Sequence, residues 1–161
     1  RSSTKKAKRY SKTSWTIIET DAMKPLCFQA KRFRWKTHSK TLPDVLDQDI
    51  DQEVAETVVV FVHAEASDAA QERASAVLRQ SLKHVKWLAN KRACKNIVLH
   101  SFTHLGGDTA ESGFAQTLIT VLADRLRETG YQVWITPFGY FCEWDLSVHG
   151  ESLAKVWKEI H

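Results

Sequence analysis

Two short segments of the chain combine residue types and spacing suited to a small-ligand site. The first, Ser101-Phe102-Thr103-His104-Leu105-Gly106-Gly107-Asp108, passes from an apolar run through a histidine and two glycines into a helix-like pattern. His104 is there either a ligand-facing group or an ordinary loop histidine satisfied by local hydrogen bonds. Gly106 and Gly107 could present backbone N–H groups to an anion, although glycine pairs are common in turns. The second, Thr136-Pro137-Phe138-Gly139-Tyr140-Phe141-Cys142, is a turn between two strand-like runs that brings backbone groups and aromatic rings to a sheet end. Strand ends and helix N-termini are where folds of this kind hold small ligands. Cys142 has no histidine near it in sequence, so it reads as a small buried strand residue rather than a nucleophile. A third segment, Lys31-Arg32-Phe33-Arg34-Trp35-Lys36, interleaves bases with aromatic rings. It can meet phosphates and stack on bases through Trp35, or it is a solvated strand face.

The elements that position these segments follow from periodicity. Leu26–Gln29 and Arg32–Thr37 read as two short strands of a hairpin; in the second, Phe33 and Trp35 alternate with Arg32, Arg34 and Lys36. An acidic loop is expected over 43–56, opened by Pro43. Thr57–Glu65 is a β-branched apolar run and the best candidate for a central strand. Asp68 reads as an N-cap, and a helix is expected from about Ala69 to Asn90, with Ala76, Val77, Leu82, Val85, Leu88 and Ala89 on its buried face. Asn96–Ser101 is a strand. A second helix runs from about Thr109 to Thr129 and ends at Gly130. Tyr131–Ile135 and Tyr140–Val148 are strands, and a last helix is expected over Glu151–Ile160. The order β-β-β-α-β-α-β-β-α predicts an α/β (α+β) fold with helices packed on one side of a mixed sheet. Neither a P-loop, a GxGxxG nor a GxSxG motif is present.

Charge divides the 161 residues unevenly. Residues 1–22 hold six Lys and Arg against two acids, and residues 23–161 hold seventeen of each sign. Residues 1–22 are therefore expected to be a basic N-terminal extension, too poor in apolar residues to fold alone, and residues 23–161 the folded domain. Within that domain, residues 23–40 carry six bases and no acid, and residues 41–56 carry six acids and no base. The acids would partly neutralise the basic segment. No apolar run approaches the roughly 20 residues of a membrane helix. The basic start is followed only by Trp15–Ile18, too short for a secretion signal. The three cysteines, Cys27, Cys94 and Cys142, are scattered and odd in number. A reducing, cytoplasmic setting is expected, without a disulfide framework or a zinc site.

The chain resembles the archaeal-type editing domain of threonyl-tRNA synthetase, which shares its fold with D-aminoacyl-tRNA deacylase. The resemblance runs from about Met23 to Ile160. It is carried by Trp35-Lys36-Thr37, Lys40-Thr41-Leu42, Val59-Val60-Phe61-Val62-His63-Ala64-Glu65, Phe102-Thr103-His104-Leu105, Gly130-Tyr131-Gln132-Val133, Thr136-Pro137-Phe138-Gly139-Tyr140 and Leu153-Ala154. The pair Phe-x-His-Leu and Pro-Phe-Gly-Tyr, in that order, is its most specific part. The resemblance implies hydrolysis of L-seryl-tRNA(Thr) made in error. Serine lacks only threonine's methyl, and one methyl in a pocket discriminates by roughly 1–3 kcal/mol, so a second site must remove the smaller product.

The same resemblance implies the roles of individual residues. Ala64 and the backbone of Phe102 and Thr103 would line the aminoacyl pocket, His104 would sit beside the terminal nucleotide or the ester, and Pro137, Phe138 and Phe141 would form a wall. Arg32, Arg34, Trp35 and Lys36 are the candidate tRNA contacts. Water activation would be assisted by the terminal ribose hydroxyl, with no metal, cofactor or covalent nucleophile. Two positions depart from the family: Cys142 stands where it has a lysine, and Lys155 where it has a glutamate on the last helix. If that helix packs beside the strand of Cys142, the Lys155 ammonium could fill the space of the missing lysine and serve catalysis. If it does not, a non-catalytic tRNA-binding or regulatory domain becomes the stronger alternative; a D-aminoacyl-tRNA deacylase is a third. The implied partners are aminoacylated tRNA, threonyl-tRNA synthetase and a second copy of the chain, since related domains pair. The length leaves no room for a synthetase catalytic domain, so a stand-alone or excised editing domain is expected.

Overall fold

The computed structural model describes residues 24–63, 71–102, 112–158 and 160. Six strands and two helices occupy them: β1 (Lys24–Lys40), β2 (Asp51–His63), α1 (Gln71–Asn90), β3 (Asn96–Ser101), α2 (Ser112–Glu128), β4 (Gln132–Ile135), β5 (Tyr140–Val148) and β6 (Lys155–Trp157). The sheet order is β4-β3-β2-β1-β5, with β6 also paired to β1. The β2–β3 and β3–β4 pairs are parallel, and β1 is antiparallel to β2, β5 and β6. It is a mixed sheet of the α+β class.

Strict alternation in β2 divides the core. Val58, Val60 and Val62 face α1 and α2, where Val85, Leu88, Ile119, Leu122 and Leu126 are all but inaccessible to solvent. Val59 and Phe61 face the other way and join Phe33, Trp35, Val54 and Val98 in a second core. Both helices therefore bury an apolar stripe against one sheet face. Gln29, buried beneath α1, donates from Nε2 to the Leu88 carbonyl at 2.8 Å and satisfies an acceptor in the last turn of the helix. Gly130, at φ +94°, reverses the chain after α2.

The second core exists because the sheet folds over on itself. Pairing between β1 and β2 steps from Ala30/Thr57 to Arg32/Ala55, and Glu56 takes φ +44°. The register of β1 against β5 shifts at the same place. Phe33 stands seven positions beyond Leu26, the register partner of Phe61. In a flat sheet that is about 23 Å, yet the Phe33 and Phe61 rings lie 6.3 Å apart. Irregular pairing bends a strand and raises its twist, and here it closes the outer half of β1–β2, with β5, over the inner half.

Three expectations are corrected. The hairpin of 26–29 and 32–37 is one continuous strand, since the irregularity at Lys31 bends the chain without reversing it, and no turn residues lie there. The acidic stretch is only partly a loop: Asp51 and Glu53 begin β2, where opposite charges on β1 hold them. The terminal helix does not form. A 3-10 turn over Ser152–Ala154 leads into β6, whose residues pair with Leu26, Cys27 and Phe28. β5 leaves β1 at Ala30, so this stretch of β1 would otherwise expose unpaired backbone groups, and β6 satisfies them.

Candidate functional site

The parallel strands β2 and β3 end side by side. Phe102 donates its N–H to the Val62 carbonyl at 2.8 Å, and the Phe102 carbonyl lies 3.2 Å from His63 Nδ1. The chain after β4 returns to the same place, where Thr136 donates its N–H to the Leu99 carbonyl at 3.0 Å. Pro137 is buried and Phe138 half-buried. Gly139 turns the chain at φ +78°, and a Cβ there would stand 2.7 Å from Val45 Cγ1. The Phe102 and Pro137 segments, far apart in sequence, are thus neighbours at one end of the sheet.

Beneath them lies a cluster of rings. Trp144 packs 5.0 Å from Phe61, 5.0 Å from His100 and 6.0 Å from Phe102, and Phe61 lies 5.7 Å from Phe102. Trp144 is two-fifths exposed, so the cluster opens to solvent. Burial pushes the His100 imidazole down to about 4, which leaves it neutral at pH 7, and its Nδ1 lies 2.6 Å from Thr136 Oγ1. The arrangement offers a flat apolar surface for a nucleobase or a small aliphatic group and one neutral polar pair. Phe61, His100 and Trp144 were absent from the sequence-derived site, and Thr136 stood in its second segment without a role. The alternation of β2 and β5 places Phe61 and Trp144 on faces, but only the fold-over brings those faces together.

The expected residues divide into three groups. Phe102, Pro137 and Phe138 stand at this sheet end. Phe141 is exposed, and Cys142 is half-buried against the second core with its thiol pushed up by burial, so it stays protonated. Ala64, Thr103 and His104, together with residues 1–22, lie outside the described residues.

Lys155 and the basic segment are corrected. β6 places Lys155 opposite Phe28, while Cys142 lies opposite Thr37. The Lys155 ammonium donates to the His149 carbonyl at 3.3 Å. Lys155 thus stands on β6 and not on a helix packed beside the strand of Cys142. Trp35 is 2% exposed and stacks on Phe33, and it cannot receive a base. Arg34 makes a two-pronged contact with Asp51 at 2.8 and 2.7 Å and lies 3.6 Å from Glu143. The hydrogen bonds from Arg34 hold the Asp51 carboxyl below its usual range. Arg32 is shared between Asp145 and Glu53. Lys36 remains an exposed base on this face.

Comparison with known proteins agrees with this architecture. Residues 23–160 match the family model described as the archaea-specific editing domain of threonyl-tRNA synthetase. The threonine–tRNA ligase of Methanosphaera stadtmanae is 27% identical over 143 residues, which cover 86% of this chain and 22% of that protein. That of Staphylothermus marinus is 29% identical over 142 residues, again 86% of this chain and 22% of the relative. The chain thus spans about a fifth of the relatives it matches. Among solved structures, a probable eukaryotic D-amino acid tRNA deacylase superposes with a TM-score of 0.60 at 11% identity, covering 86% of this chain and all of that one. The c-Myc DNA unwinding element binding protein gives 0.55 at 14% identity, covering 84% and 97%. These similarities establish a D-aminoacyl-tRNA deacylase-like fold.

Proposed function

From a chain that belongs to the archaea-specific editing-domain family of threonyl-tRNA synthetase, we propose an aminoacyl-tRNA hydrolase that clears L-seryl-tRNA(Thr). The observation that carries the reading is the ring-lined sheet end, where Phe102 and the Pro137 turn meet over Phe61, His100 and Trp144. A water oxygen bonds to the ester carbonyl carbon, the ester C–O bond breaks, and serine leaves as the tRNA ribose regains its hydroxyl. The apolar surround excludes bulk water and strengthens any hydrogen bond made there. His104 and the backbone of Phe102 and Thr103 are the groups assigned to the ester and the terminal nucleotide, with Ala64, Pro137, Phe138 and Phe141 around the amino acid. The partners in this reading are aminoacylated tRNA, a threonyl-tRNA synthetase whose errors the domain corrects, and a second copy of the chain, in the cytoplasm.

One observation favours a second reading, a domain that binds tRNA without editing it. Cys142 brings no charge to the site, and the Lys155 ammonium is engaged at the His149 carbonyl. One assay separates the two. The protein is incubated with seryl-tRNA(Thr), threonyl-tRNA(Thr) and a D-aminoacyl-tRNA, and release of amino acid is followed. Loss of serine with threonine spared supports editing. Equal loss of serine and threonine indicates a general deacylase, and loss of the D-amino acid alone indicates the third activity. No release, with tRNA bound, establishes the binding domain.

A further inference from the structure

A groove of about 630 Å³ runs between α1 and the side of β6 away from β1 and shares no residue with the ring cluster described above. Its walls include Lys83, His84 and Trp87 from α1, and Trp157 and Lys158 from the C-terminal segment. Trp87 is 43% and Trp157 53% exposed, high for indoles. Lys91 lies over the Trp87 ring at 5.3 Å. No acid lines it among the described residues, and residues 73–107 hold seven Lys and Arg with no Asp or Glu. This is a longer one-sign run than the basic segment of β1, and across β1 the acids of β2 and β5 answer those bases.

His84 supplies an independent sign of a ligand. It is 6% exposed and stacks on Trp87 at 6.0 Å, and its Nε2 is a buried polar atom with no hydrogen-bond partner among the described residues. An unpaired buried nitrogen costs free energy, and such atoms ordinarily have a partner. Burial and the nearby Lys158 charge lower its proton affinity, so the ring is neutral at pH 7 and Nε2 can donate or accept.

We propose that this groove binds unpaired nucleotides of RNA, with Trp87 and Trp157 stacking on bases, His84 Nε2 hydrogen-bonding a base edge or ribose hydroxyl, and Lys83 and Lys158 meeting phosphates. Stacking rings beside a lysine rim, with sequence-tolerant contacts, are how single strands are held. The volume lies within the roughly 300–1,000 Å³ typical of ligand sites. An acidic peptide would use the lysines but leave two indoles and a lone imidazole nitrogen unexplained. The inference takes tRNA as its natural source from the reading above, yet the groove stands or falls separately from the hydrolytic site.

The test uses the full chain with two probes, a 12-nucleotide single-stranded RNA and uncharged tRNA(Thr). Binding is read by fluorescence anisotropy at several salt concentrations, and folding by circular dichroism. Trp87→Ala and Trp157→Ala are each expected to weaken binding about tenfold. Lys83→Glu with Lys158→Glu, both exposed, is expected to lower the slope of log affinity against log salt by about two. The lysine pair keeps the test decisive if a tryptophan variant misfolds. Unchanged affinity and slope in the folded variants would overturn the proposal, as would preferential binding of an acidic peptide to the same groove. Deacylation of a seryl-ester of a short acceptor-end RNA is measured in parallel. Loss of that activity with groove binding intact would refute the hydrolytic reading alone.

Discussion

His100 makes the protein's stability pH-dependent in a direction that the structure dictates. The residue is 6% exposed, faces Phe61 and Trp144, and has Thr136 Oγ1 beside its Nδ1, so burial depresses its proton affinity to about 4 from an ordinary 6.5. Between those two values the unfolded chain binds a proton at this position and the native chain does not. Stability from His100 is therefore full above pH 6.5, falls as the pH drops through the window, and levels off below about 4. The span corresponds to about 3 kcal/mol, a sizeable share of the stability of a domain this size. The perturbation is His100→Gln, which keeps a polar atom near Thr136 and removes the titration. Urea unfolding of both proteins is measured at steps from pH 7.5 to 4. Because the carboxylates titrate alike in both chains, the difference in unfolding free energy isolates His100. The wild-type advantage should shrink by about 3 kcal/mol over that range. An advantage that stays constant, or grows as the pH falls, would refute the neutral, buried assignment and with it the apolar character given to the ring cluster.

Three further outcomes are expected. Lys155→Ala should leave any deacylation within about twofold of wild type, because its ammonium is engaged at the His149 carbonyl; a loss of a hundredfold in single-turnover assays would restore it to the site. Gly139→Ala should destabilise the fold by about 2 kcal/mol, since alanine is strained at φ +78° and its Cβ meets Val45. Thermal unfolding checks this, and an unchanged midpoint would contradict the turn geometry. Deleting residues 1–22, which carry six bases and two acids, should weaken tRNA binding and flatten its salt dependence while the midpoint of unfolding stays put; an unchanged slope would show that the arm plays no part.

Much of the frame was legible before folding is considered. The β-branched run around Val58–Val62, the strands Asn96–Ser101 and Tyr140–Val148, and the apolar faces of both helices follow from period and composition, and each is where expected. The last segment was not. Leu153, Ala154, Val156, Trp157 and Ile160 carry spacing that suits a helix, but the unpaired stretch of β1 recruits them into β6. Charge alternation correctly separated Arg32 and Arg34 from Phe33 and Trp35, yet it could not say which of the two faces would be covered.

Local patterning thus decided which residues form strands and helices and which side chains share a face, because dihedral preference and side-chain period act over a few neighbouring residues. The tertiary structure alone decided the rest. The fold at Lys31 and Glu56 buries Trp35 and leaves Trp144 half open over Phe61 and His100. The pairing of β6 sets Lys155 opposite Phe28 and Trp157 facing α1 across a basic groove. These outcomes depend on contacts between segments far apart in the chain, where closing a sheet over its own apolar face and satisfying its edge outweigh what any single segment prefers.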